Sequence, residues 1–214
     1  MKKVNISLVF NFIIFILVLL GTIFMVSGFQ FMSHQKMLES TGLENFKYFT
    51  VDSNILVGIS SFCYFVFYLI QKKVSKWIVV FRYLGTVSVL LTMLVTACFL
   101  APFSKFSFFD FYQNSNLFFH FLVPLLSTIS FVFFEKCDLS FKSTFTSLIP
   151  MICYAVFYMI SVIPHIENGM VSYQYDFYGF LRGGAFTIVF VVPVMIFATY
   201  IIGLSVWALH KKCT

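Results

Sequence analysis

The chain has 214 residues, 60% of them hydrophobic and 10% charged, with a net charge of +6. A mean hydropathy of +0.96 excludes a soluble globular domain. The positive balance does not point to nucleic acid, because the lysines fall in short tracts beside apolar segments, such as Lys2-Lys3, Lys72-Lys73, Lys76 and Lys211-Lys212, the pattern of membrane topology signals.

A helix crosses the hydrocarbon core with about 20 apolar residues. Six stretches qualify, at about 4–29, 49–71, 77–100, 115–134, 144–164 and 185–209. None sustains the period-2 alternation of a barrel strand. Residues 1–214 therefore read as one all-α domain, a six-helix bundle completed by the lipid bilayer. The first stretch has the lysines of a signal peptide but is too long for a cleaved one, and no A-x-A-like site follows it, so it reads as an uncleaved first helix. Abundant Phe, Lys, Ile and Asn with few Ala suit an AT-rich genome and hence a bacterial cell membrane.

Nine basic residues (Lys2, Lys3, Lys72, Lys73, Lys76, Lys136, Lys142, Lys211 and Lys212) fall on the side of the N-terminus, against four (Lys36, Lys47, Lys105 and Arg182) on the other. That count places both termini in the cytoplasm and Trp77 and Trp207 at the inner interface. Arg82, early in the third stretch, reads as a snorkelling side chain or an anchor for anionic lipid.

The second stretch opens on Thr50-Val51-Asp52-Ser53-Asn54. Thr50 and Asn54 are four apart and share a helical face. Thr50 or Asp52 would suit a helix N-cap. The alternative makes Thr50 a nucleophile, with Asn54, Ser53, Asp52 or the first helix amides stabilising an oxyanion.

In the fourth stretch stands His120. An ionisable residue at membrane depth is costly and by default a working residue with a partner. It lies roughly 5–8 Å below the outer end of its helix, on the same side as Thr50, so the two can meet. Pro124 denies the His120 carbonyl its i+4 donor, which predicts a local distortion turned toward protein. A hydroxyl nucleophile needs an adjacent base, and His120 would be that base.

The outer loops at about 30–48 and 165–184 are polar and aromatic. The second reads Ser172-Tyr173-Gln174-Tyr175-Asp176-Phe177-Tyr178-Gly179, either an interfacial tyrosine belt or a lid over a site, with Tyr175 a candidate substrate contact. His34 and His165 sit in these loops without a metal-ligand pattern, and His210 lies in a basic tail. The five cysteines show no paired spacing, and neither metal nor cofactor is implied.

Three elements carry a resemblance. Phe49-Thr50-Val51-Asp52-Ser53-Asn54-Ile55-Leu56-Val57 resembles the F-T-x-x-S-N-L-L signature of bacterial six-transmembrane proteins of the Pr6Pr type, which are related to the FAR-17a and androgen-induced gene 1 family. His120 through Pro124 resembles that family's H-x-x-x-P helix. The segment from Pro150 to Tyr158, with the Tyr-rich loop after it, is similar to the Y-P-Y-x-F region, although Tyr173-Gln174-Tyr175 lacks the proline. Eukaryotic relatives are membrane threonine hydrolases that cleave fatty acid esters of hydroxy fatty acids with one Thr and one His. The resemblance implies those roles for Thr50 and His120.

The expectation is a membrane-embedded threonine hydrolase acting on fatty acyl esters. The alternative is a small-solute or lipid transporter that uses His120 and the Thr50–Asn54 cluster as a binding or proton-relay site. A structural subunit is a third possibility.

Overall fold

A computed structural model describes residues 2–32, 42–105 and 107–213. Six helices are long and apolar enough to cross a membrane: α1 (Asn5–Ser27), α2 (Phe49–Gln71), α3 (Lys76–Leu100), α4 (Ser115–Phe133), α5 (Ser143–His165) and α6 (Ala185–Cys213). The protein is an all-α integral membrane protein. Helices α1 to α4 form the central group, with α2 packed on α1 and α3, and α4 on α1 and α3; α6 covers α3, α4 and α5 from outside. Within its most apolar window α3 is 61% buried and α6 only 11%, so α3 is the central post and α6 presents its side chains to lipid.

The sequence of α3 accounts for its position. Arg82, Thr86, Thr92 and Thr96 repeat at near-helical spacing and are all buried. A polar stripe on one face cannot sit in lipid and must find partners inside the protein. The stripe crosses three layers of the bundle.

At the end that holds both chain termini, the stripe begins in an ionic network. Oε1 of Glu135 accepts from four donors: Arg82 Nε at 3.2 Å, Arg82 Nη2 at 2.9 Å, Ser130 Oγ at 2.9 Å and Asn11 Nδ2 at 3.0 Å. Ser127 joins Arg82 to Thr86, its hydroxyl lying 2.8 Å from that of Thr86. Both Arg82 and Glu135 are 0% exposed. The expectation that Arg82 snorkels or binds lipid is therefore corrected. The chain leaves α4 at Phe134, and the Glu135 amide bonds back to the Ser130 carbonyl, which turns the carboxylate into the bundle and gives Arg82 an internal counter-ion. His210, of the basic tail, is also buried, its ring nitrogens 2.9 Å from the Phe131 carbonyl and 3.1 Å from that of Cys137.

The middle layer is apolar. Ile14, Val18, Val57, Val89 and Val123 close on one another from all four central helices. Gly85 makes this approach possible, since a Cβ there would lie 2.8 Å from the Cα of Val57; small residues at such crossings let membrane helices pack by close backbone contact. Above this layer, at the end carrying the long connections, the packing opens into a cavity.

The connections add little regular structure. Ile166–Glu167 and Met170–Val171 pair as an antiparallel hairpin, Ile166 opposite Val171. Its turn is Asn168-Gly169, both at positive φ (51° and 75°), the dipeptide favoured for two-residue hairpin turns.

Truncating one partner of a buried ion pair strands the other, at a cost of about 3–5 kcal/mol. Glu135→Leu should therefore lower the thermal midpoint of the detergent-solubilised protein sharply, and the double variant Arg82→Met with Glu135→Leu should recover most of that loss. A single variant as stable as the parent would contradict the assignment.

Candidate functional site

Thr50 stands in the first turn of α2, and that turn is built by other residues. Tyr48 occupies the N-cap position in extended conformation (φ −94°, ψ 132°) and offers no side-chain cap. The Val51 and Asp52 amides donate to its carbonyl at 3.0 and 3.2 Å. The Phe49 amide donates to the Tyr178 hydroxyl at 2.8 Å. Neither Thr50 nor Asp52 is the N-cap, because the capping acceptor comes from the distant Tyr-rich loop.

His120 stands in a widened turn. Residues Phe118–Leu122 wind as a π-helix, and the Val123 amide bonds to the Phe118 carbonyl. Pro124 has no amide to continue the ordinary ladder, and the widened turn is the form that the expected distortion takes. A second π-helix, Thr96–Leu100, lies in α3, closed by the Ala101 amide on the Thr96 carbonyl at 2.9 Å. Such bulges re-aim side chains and concentrate at functional sites. Here they bring Thr96 Oγ1 to 2.8 Å from His120 Nδ1. His120 is 4% exposed, so it faces protein.

One side chain joins the two helices. Asn54 Nδ2 donates to the Thr50 carbonyl at 2.7 Å and to the Phe119 carbonyl at 3.1 Å. Thr50 and the residue before His120 are thus held by the same amide. Thr50 and His120 line one cavity of about 410 Å³, with walls that include Phe24, Phe119 and Phe177. This size is within the range of small-molecule sites.

The remaining expected residues divide. Ser53 is buried and its hydroxyl donates to the Thr50 carbonyl at 3.0 Å, which supports the turn without reaching the cavity. Asp52 is exposed on the opposite side of α2, in a shallow groove against Pro150 and Tyr154. Asn54 has both amide hydrogens engaged, and the amides of Phe49, Val51 and Asp52 are engaged too, so the oxyanion role expected of them meets prior partners. Tyr175 is stacked on His165, ring centroids 3.4 Å apart, while Tyr173 and Tyr178 line the cavity in its place.

The loop is held over the site by a buried carboxylate. Asp176 accepts from the Tyr158 hydroxyl and from the amides of Phe180 (3.0 Å) and Leu181 (2.9 Å). Tyr154 adds a tie from its hydroxyl to the Lys47 carbonyl at 2.6 Å. Burial pushes the Tyr178 hydroxyl above its usual range, so it remains a neutral phenol on the Phe49 amide. Thr96, Asp176 and Tyr178 escaped the sequence reading. Thr96 alone left a signal there, as the last member of the buried polar stripe on α3.

Other reactive pairings are weaker. Cys137 Sγ lies 3.2 Å from His210 Nε2, but burial, with the nearby Glu135 and Asp138 carboxylates, pushes its thiol up to about 12. It carries almost no thiolate at neutral pH, the form a nucleophilic cysteine requires. His165 is engaged by the Ser161 carbonyl at 2.9 Å, and His34 lies outside the described residues. Among the described residues no group of three potential metal ligands occurs.

No family model, curated protein or solved structure matches this chain.

Removing the Asn54 amide leaves a buried carbonyl at Phe119 without its partner, at a cost of about 1–3 kcal/mol. Asn54→Ala should lower the thermal midpoint and detach α2 from α4, read as faster hydrogen exchange at 118–122. Unchanged stability and exchange would show that the staple does not hold the site.

Proposed function

We propose that the protein is a membrane-embedded hydrolase of fatty acyl esters, with Thr50 as nucleophile and His120 as base. The observation that carries this reading is the shared cavity: Thr50 and His120 line one space of about 410 Å³ whose walls include Phe24, Phe119 and Phe177. The engagement of His120 Nδ1 by Thr96 supports it further. In the tautomer whose Nδ1–H is donated to the Thr96 hydroxyl, Nε2 carries the lone pair that a base needs. Thr96 then holds the ring in place, the positioning role that a third residue fills in triads.

The chemistry follows. The Thr50 hydroxyl oxygen attacks the ester carbonyl carbon, and its proton passes to His120 Nε2. The alcohol leaves as the C–O bond breaks, taking that proton from His120. An acyl group remains on Thr50. Water then attacks the acyl carbonyl, His120 accepts its proton, and the fatty acid departs as Thr50 is reprotonated. The resemblance of the segments around Thr50 and His120 to membrane threonine hydrolases agrees with these roles, and the positive-inside count supports a cavity that faces the outer leaflet.

A transport reading meets an obstacle. The apolar layer of Ile14, Val18, Val57, Val89 and Val123 lies between the cavity and the Arg82–Glu135 network. A solute or proton path would have to part that layer, whereas hydrolysis needs access from one side only.

The purified protein should react with a fluorophosphonate probe at Thr50, located by peptide mass mapping. Thr50→Ala should abolish the adduct, His120→Ala should reduce it by about 10²-fold or more, and Thr96→Val should reduce it less than His120→Ala. An adduct that survives Thr50→Ala, or no adduct on active protein, would sink the proposal.

A further inference from the structure

The mouth of the cavity is cationic, and the charge there is arranged rather than incidental. Arg182 lines the cavity and is exposed. Among the described residues it makes no ion pair. Its guanidinium lies against the backbone of Gly179, where a Cβ would come within 2.7 Å of Nε. Gly179 also sits at φ +67°, so the same glycine supplies the turn and the flat seat for the arginine. Lys47 adds a second cation, its Nζ 5.5 Å from the Tyr48 ring centroid and 5.6 Å from that of Phe177, both rings of the cavity wall.

Among the described residues neither Arg182 nor Lys47 is joined to a carboxylate in an ion pair. Asp176 is buried and its oxygens take the Tyr158 hydroxyl and two amides. Glu44 shares the Gly42–Lys47 turn with Lys47, and neither lines the cavity; Lys47 stands against two rings of its wall, whereas Glu44 is exposed. An unpaired arginine at the opening of an apolar-walled space is matched to an anionic oxygen pair, which a guanidinium binds through two parallel hydrogen bonds.

We infer that Arg182, seated on Gly179 and assisted by Lys47, is a specificity-determining residue that binds an anionic group of the substrate, a carboxylate or a phosphate, at the cavity mouth. This deepens the hydrolase reading and rests on it for the identity of the cavity as a substrate site. The substrate is then a single-chain anionic amphiphile, with its charge at the mouth, its ester beside Thr50 and its hydrocarbon against the Phe-lined wall.

The test measures binding alone and so stands apart from turnover. Full-length protein carrying Thr50→Ala, in nanodiscs of zwitterionic lipid, is titrated with palmitate, palmitoyl lysophosphatidate and uncharged monopalmitoylglycerol. At least one anionic ligand should bind about tenfold more tightly than the neutral one, the increment of a charge-assisted contact, and raising the salt should shrink that margin. Arg182→Gln should abolish the margin and Arg182→Lys should keep part of it, which separates lost recognition from lost folding. Preference for palmitate alone identifies a carboxylate, and preference for lysophosphatidate alone a phosphate. Equal affinity for charged and neutral ligands, or a margin that survives Arg182→Gln, would overturn the inference. Because hydrolysis is not measured, a preserved margin in a protein that never reacts with fluorophosphonate would refute only the hydrolase reading.

Discussion

Polar groups buried in a membrane protein must be satisfied within it, and in this chain that requirement is concentrated on α3. Of its stripe, Arg82, Thr86 and Thr96 are answered by partners on its neighbours, Glu135 and Ser127 near the chain termini and His120 at the far end, while the Thr92 hydroxyl donates to the Val89 carbonyl of its own helix. These pairings draw the helices around α3. They set the depth of α4 relative to α3, and so the height at which His120 stands. Each end of the stripe therefore has its own consequence. The ionic end locks the bundle, and the hydroxyl end orients a histidine.

Between the two lies an apolar layer of branched aliphatic side chains. It separates the cavity from the ion pair at every helix but α3, whose polar stripe runs past it. The cavity itself is lined by a separate buried group, Met25, Val51 and Phe119. Beside it, Asn54 ties the Thr50 backbone to that of Phe119, and the Tyr178 hydroxyl receives the first amide of α2. A polar staple and a loop tyrosine thus do the positioning at the cavity that Thr50 and His120 line.

Much of this was legible in the sequence, for physical reasons. Six apolar runs of membrane length define six helices whatever their packing. Pro124 announced a departure from the regular ladder near His120, and the antiparallel path put Thr50 and His120 at one end. What escaped depended on how the chain turns after a helix stops. Glu135 lies just past the apolar run that ends α4, so nothing in its spacing marked it as the partner of Arg82. Asn54 shares a face with Thr50, as its spacing required, yet its hydrogens go to carbonyls that only the assembled bundle brings near. Among the loop tyrosines, Tyr175 and Tyr178 look equivalent in sequence. The hold of Tyr158 and two amides on Asp176 decides that Tyr178 turns inward while Tyr175 stacks on His165.

In the proposed hydrolase Thr50 and His120 act as one unit. Groups that do so show strongly non-additive losses, so the decisive measurement is the hydrolysis rate of a p-nitrophenyl acyl ester by Thr50→Ala, His120→Ala and the double variant. The double variant should be no slower than the slower single variant, within about threefold. Multiplying losses, or a parental rate in either single variant, would contradict it.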